Sequence, residues 1–325
     1  MLGEEIGGEA HDGLELRSTE ETSSFLEKFD ELVVGSPIDI EKNLSALLPQ
    51  ARQLEDPSIY LQILSQVALA QAMQKRFEEA HQTLDLAENQ LSVDGHLARA
   101  RILCERGRVF WQAGQVATAR PFFEQSFELS LRHQLDFHAI NAAHLIAIIA
   151  EGFEEKVHWN QLALDQAEKT KEPRSKLWLG VLYNNLGQNY TDAEQYDLAL
   201  KVYEKALAYR EQEGYLPNIY FAQWAVARTR RLLNFSDEAL AVLIPLRDVF
   251  DSMVERPEPE MATEVLSYMR GLVYEELAEI YEARGWEQAP SLFQVAYADI
   301  SKSAWAELDP QRVERLRQKI GSNHE

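Results

Sequence analysis

Between Tyr183 and Ala206 the chain reads Tyr183-x2-Leu186-Gly187-x2-Tyr190-x8-Ala199-x3-Tyr203-x2-Ala206. Residues three and four apart share one face of a helix. Large, large, small, large followed by small, large, small therefore describes two helices packed on each other. Gly187 is expected where their backbones approach most closely, and Ala199 and Ala206 give the same clearance on the second helix. A chain built this way is committed to helical hairpins.

Weaker versions of the pattern recur on both sides. Leu103-x3-Gly107-x2-Phe110 is followed by Gly114 and by Ala119-x3-Phe123-x2-Ser126. Tyr274-x2-Leu277-Ala278-x2-Tyr281 is followed by Gly285 and by Ala289-x3-Phe293-x2-Ala296. Aligning the small residue of each first helix gives Ala68, Gly107, His144, Gly187, Ala227 and Ala278, with His144 as an irregular occupant of its slot. The steps of 39, 37, 43, 40 and 51 residues indicate a solenoid. The longest step contains Pro257-Glu258-Pro259, expected as an extended loop. Only 15 Gly and 11 Pro occur in 325 residues, and no block alternates with period two, so the fold expected is all-α.

These hairpins resemble tetratricopeptide repeats over roughly residues 59–298. The match is specific at residues 103–126, 183–206 and 274–296 and loose elsewhere. Steps near 40 exceed that family's period of about 34 residues, which implies longer helices. The resemblance implies a right-handed α-solenoid of about six antiparallel helical hairpins. The organisation expected is a flexible acidic tail over 1–22 and a short helical segment over 23–58, with a helix at Ser23–Val34 and breaks at Pro37, Pro49 and Pro57. The repeat array follows over 59–300, and a capping helix with its tail over 301–325. Asp309-Pro310 suits a helix start, with the carboxylate at the N-cap and proline in the first turn.

The formal net charge is −21, which argues against a nucleic-acid backbone as partner. The first 31 residues hold ten acidic side chains against Arg17 and Lys28, whereas Arg312 to Lys319 is locally basic. Cys104 is the single cysteine, so no intrachain disulfide forms, and its expected role is structural. With no signal-like or membrane-spanning stretch, a cytoplasmic protein without membrane contact is expected. Nucleotide-cradling, zinc-protease and nucleophile-elbow motifs are absent. His133, His138, His144 and His158 cluster in sequence, but His138 and His144 fall on different helix faces. No enzyme, cofactor or metal is therefore expected.

In arrays of this kind the first helices line the binding face. The stripe expected there holds Arg101, Cys104, Arg108 and Trp111, then His138, Asn141 and Leu145, then Asn184, Asn185 and Gln188. Phe221, Trp224, Arg228 and Arg231 complete it. Arginine grips carboxylates through paired hydrogen bonds, and asparagine holds a peptide backbone through donor and acceptor together. The set resembles the peptide-gripping grooves of the family but departs from its chaperone-tail clamp, where only Asn185 falls in place. The function expected is a scaffold that binds a protein or peptide, such as an acidic or C-terminal segment. The alternative is a peptide-sensing regulatory module. Ordinary ion pairs with neighbouring glutamates are the competing account of the arginines. On the groove account, Arg108→Ala with Arg228→Ala weakens partner binding without lowering Tm.

Overall fold

The computed structural model describes residues 36–54, 56–256 and 261–321. The expected acidic tail, the Ser23–Val34 helix and the Pro257–Pro259 loop lie outside the described residues. Every regular element among the described residues is helical. The chain divides into two compact units, residues 1–178 and 179–325.

In the first unit, helix α1 (Pro37–Ala51) packs on α2 (Pro57–Met73), which pairs with α3 (Phe77–Glu88). Helices α4 (His96–Gln112) and α5 (Val116–Arg132) form the next hairpin, and α6 (Asp136–Ile149) with α7 (Phe153–Lys169) the third. A single turn, α8 (Pro173–Lys176), follows. First helices also touch in succession, α2 on α4 and α4 on α6. The prolines expected to break residues 23–58 act differently. Pro37 and Pro57 each open a helix behind a side-chain cap, Ser36 accepting from the Asp39 N–H and Asp56 from the Ser58 N–H. Pro49 sits inside the last turn of α1.

The second unit holds α9 (Trp178–Asp192), α10 (Tyr196–Glu213), α11 (Leu216–Leu232), α12 (Ser236–Glu255), α13 (Thr263–Ala283) and α14 (Ala289–Ile300). A 3-10 turn at Ala304–Glu307 leads into α15 (Pro310–Gly321), which packs on α14. As expected, Asp309 caps α15 by accepting the Arg312 N–H at 3.1 Å.

The small residues do what their spacing predicts. A Cβ on Gly107 would stand 2.6 Å from the Phe123 ring, and one on Gly187 2.6 Å from the Tyr203 ring. In the third hairpin the slot belongs to Ala143, which is fully buried, while His144 is only half-buried. His144 was expected in that slot; the imidazole is too large for it and turns one position outward, to lie 5.1 Å from the Trp178 ring. The turns between paired helices share one device, except that between α6 and α7. Lys75, Gly114, Glu194, Asn234 and Gly285 all have positive φ, from 58° to 77°. At Gly114 the N–H bonds Trp111 O, and the next N–H, of Gln115, bonds Phe110 O, which closes the carbonyls left open at the helix end.

Candidate functional site: the polar stripe on the first helices

With Ala143 in the slot, the residue two before each small residue becomes a series: Gln66, Glu105, Asn141, Asn185, Ala225 and Glu276. All but Ala225 are polar, and four of the six are nearly buried polar groups. A buried polar group has to find partners, and here they come from the adjacent first helix.

In the first unit, Gln66 Nε2 donates to Glu105 Oε1 at 2.8 Å, and Gln62 Oε1 accepts from Arg101 Nη1 at 3.0 Å. Glu105 Oε2 lies 3.6 Å from Arg108 Nε. Arg108 Nη2 donates to Asn141 Oδ1 at 2.8 Å, and Asn141 Nδ2 donates to Cys104 Sγ at 3.2 Å. Glu105 is only 3 % exposed, so its charge is held by these neighbours in place of water. Burial, with Glu105 beside it, pushes the Cys104 thiol up to about 12, which leaves it an unreactive packing residue. Burial also pulls His138 down to about 3, aided by Arg101 and Arg174, and His144 down to about 4, aided by Arg108. Both imidazoles are neutral at pH 7. No group of three or more His, Cys, Asp or Glu among the described residues is placed to hold a metal ion.

Leu145 and Cys104, both expected on this stripe, are core. Leu145 is 3 % exposed and packs with Cys104, Phe123 and Ile146. Trp111 is half-buried against the same cluster.

In the second unit, Asn184 and Asn185 are half-buried and Gln188 is exposed. Gln188 Nε2 donates to Asp192 Oδ1 at 2.5 Å. The Asn184 Oδ1 atom is buried and accepts no hydrogen bond among the described residues. Trp224, expected on the stripe, is 5 % exposed, its indole N–H donating to Leu272 O at 3.2 Å. The indole fills the space between α11 and α13 and offers a partner little surface. Arg228 lies over that ring at 5.6 Å and places Nε 3.6 Å from Glu276 Oε1. Arg231 Nε donates to Glu276 Oε2 at 2.5 Å. Beside it, Glu275 faces Arg312 and Arg315 of α15. Burial pushes the Glu275 carboxyl above the usual range, with Arg312 pulling it back.

The structure thus joins Arg108 and Asn141 in one network, places Arg101 on Gln62 beside it, and joins Trp224, Arg228 and Arg231 in another. Sequence reasoning missed Gln62, Gln66, Glu105, Glu275, Glu276, Arg312 and Arg315 as members. The two-before position was a readable signal for Gln66, Glu105 and Glu276, once Ala143 is set in its slot. Nothing in the spacing marks Arg312 and Arg315 as facing Glu275.

A family model, Tetratricopeptide repeat, matches residues 180–213. The protein ycf37 of Cyanophora paradoxa is 32 % identical over 98 residues, covering 30 % of this chain and 50 % of that protein. The chain therefore spans about half the length of that relative. Among solved structures, BtubC (BKLC) from P. vanneervenii superposes with TM-score 0.57 at 18 % identity, over 71 % of this chain and 97 % of that one. The apo form of RapI superposes with TM-score 0.52 at 14 % identity, over 93 % and 99 %. A Signal Transduction ATPase with Numerous Domains carrying a tetratricopeptide repeat sensor, from Pyrococcus horikoshii, gives 0.53 at 14 % identity, over 98 % and 54 %. Such identities speak for the fold alone. The family match marks a tetratricopeptide repeat at residues 180–213, and the hairpins with their small-residue slots give the chain the all-α helical-hairpin fold of such repeats.

Proposed function

We propose that this protein is a non-catalytic repeat scaffold that binds a protein or peptide segment along the first helices of its hairpins. The observation that carries this reading is the unpaired Asn184 Oδ1. Leaving a buried acceptor without a donor costs about 1–3 kcal/mol. A backbone N–H of an incoming segment supplies that donor once the half-buried Asn184 amide turns towards the surface of α9. Asn185 and Gln188 continue the same helix face, and side-chain amides both donate and accept, which suits an extended backbone.

An acidic or C-terminal segment draws on the arginines as well. Within the second unit, Arg228 and Arg231 already face Glu276. A partner carboxylate competes with that glutamate for the same guanidinium groups. The amides therefore set the position of the segment, and the arginines tune its charge preference.

The test is to pan a degenerate peptide library on the full chain and measure the enriched peptides against Asn184→Ala. The expected result is binding weakened about tenfold or more, a loss of about 1.4 kcal/mol, with Tm unchanged or raised. Equal affinity for both proteins refutes the reading.

A further inference from the structure

Helix α15 is held to α13 by charge. Arg312 Nε lies 3.5 Å from Glu275 Oε2, Arg315 pairs with Glu275 and Glu279, and Lys319 pairs with Glu282. The acids at 275, 279 and 282 and the cations at 312, 315 and 319 each recur once per helical turn, so the two helices match turn for turn. Apolar anchorage is slight. Leu316 is the one fully buried side chain of α15, with Val313 and Ile320 packed at the margin of the core. A cavity of about 400 Å³ is lined by Arg228, Arg231, Glu276 and Glu279 together with Gln311 and Arg312 of α15. Helix α15 thus leaves space beside the acidic edge of α13. Within this site Glu275 Oε2, on a residue 1 % exposed, accepts no hydrogen bond among the described residues.

We propose that the acid-edged face of α13 is a docking surface for a basic amphipathic helix of a partner protein, and that α15 is its resident, displaceable occupant. The chemistry of the partner is written in α15 itself: cations at 312, 315 and 319 beside apolar residues at 313, 316 and 320. A partner helix whose cation reaches Glu275 Oε2 at hydrogen-bond distance satisfies an acceptor that α15 leaves open. A second copy of this chain brings the same Arg312 and gains nothing over the helix already in place. A foreign helix is the occupant that improves on it.

The test uses the full chain and a charge-reversed full chain, Arg312→Glu with Arg315→Glu and Lys319→Glu, whose α15 is repelled from α13. The probe is a fluorescein-labelled peptide with the sequence of residues 309–321, followed by anisotropy beside a scrambled peptide. In the wild-type chain the tethered helix competes at an effective concentration on the order of millimolar. The charge-reversed chain is therefore expected to bind the peptide at least about tenfold more tightly, to lose that gain on adding Glu275→Gln, and to ignore the scrambled peptide. Equal binding by both chains, with hydrogen exchange showing α13 intact in each, overturns the proposal. A wild-type dimer that exchanges α15 between copies also overturns it. Should the reversed chain not fold, hydrogen exchange of the wild type decides. Amides of α15 are expected to exchange faster than those of α13, and faster still in about 0.5 M salt, where charge contacts are screened. Protection of α15 equal to that of α13 at both salt levels overturns the proposal.

Discussion

Arg108 Nη2 donates to Asn141 Oδ1 at 2.8 Å, and the same amide donates from Nδ2 to Cys104 Sγ at 3.2 Å, so one asparagine ties α6 to α4 twice. Asn141→Leu removes both bonds at a site 7 % exposed and leaves the guanidinium facing an apolar group. The expected cost is about 1–3 kcal/mol, read as a lower denaturant midpoint with an unchanged slope.

Arg108→Ala with Arg228→Ala, expected from sequence to spare Tm, is expected from the structure to lower it. Each arginine serves a buried carboxylate, Glu105 at 3 % and Glu276 at 2 % exposed. Gln66 and Arg231 stay in place, so the loss is partial, about 1–3 kcal/mol at each site. Adding Glu105→Gln and Glu276→Gln should restore part of the lost Tm in calorimetry.

Gly107→Ala and Gly187→Ala should both destabilise, although alanine is the better helix former by about 1 kcal/mol. The added methyl meets an aromatic ring at 2.6 Å in each case. Overpacking of this kind costs about 1–3 kcal/mol, measured by chemical denaturation. Pairing Gly107→Ala with Phe123→Leu is expected to recover stability.

Acid should loosen the first unit through His138. Its imidazole titrates at about 3 in the folded chain against a reference of 6.5. The unfolded chain binds the proton first, so the contribution is whole above pH 6.5 and is lost as pH falls towards 3. Between pH 6.5 and 4 that loss is about 3 kcal/mol. His138→Gln should flatten the dependence of Tm on pH over this window. An identical slope in both proteins would count against the assignment.

Lys75→Gly and Glu194→Gly should stabilise the protein. Both residues hold φ near +60° in turns where Gly114 and Gly285 stand in other hairpins. A side chain in that conformation costs about 1–2 kcal/mol, part of which is offset by the entropy glycine loses on folding. A rise in melting temperature of a few degrees is the expected readout.

Much of the fold was legible because packing slots are local. Gly107, Gly187, Ala199 and Ala206 announce a close helix crossing through their spacing, and the rings of Phe123 and Tyr203 fill it. Asp309-Pro310 announced a helix start by the same local logic. Pro49 misled, because a proline in the last turn of a helix does not end it. His144 misled because alignment by spacing could not choose between it and Ala143, a choice made by volume. The polar stripe was half legible. Periodicity marked the face carrying Arg108, Asn141 and Arg228. Their partners lie 33 to 48 residues away, as with Arg108 and Asn141 or Trp224 and Leu272, and helix period carries no information about which atoms meet across that distance.

The counter-charges of α13 are divided between its neighbours. Glu276 is neutralised by Arg228 and Arg231 of α11, and Glu275 by Arg312 and Arg315 of α15. Repeat proteins are commonly regarded as interchangeable units that a genome can copy, drop or shuffle. The hairpin of α13 and α14 is not such a unit, since excising or transplanting it strands two buried carboxylates or four arginines. Here the order of the repeats is itself part of what the chain encodes.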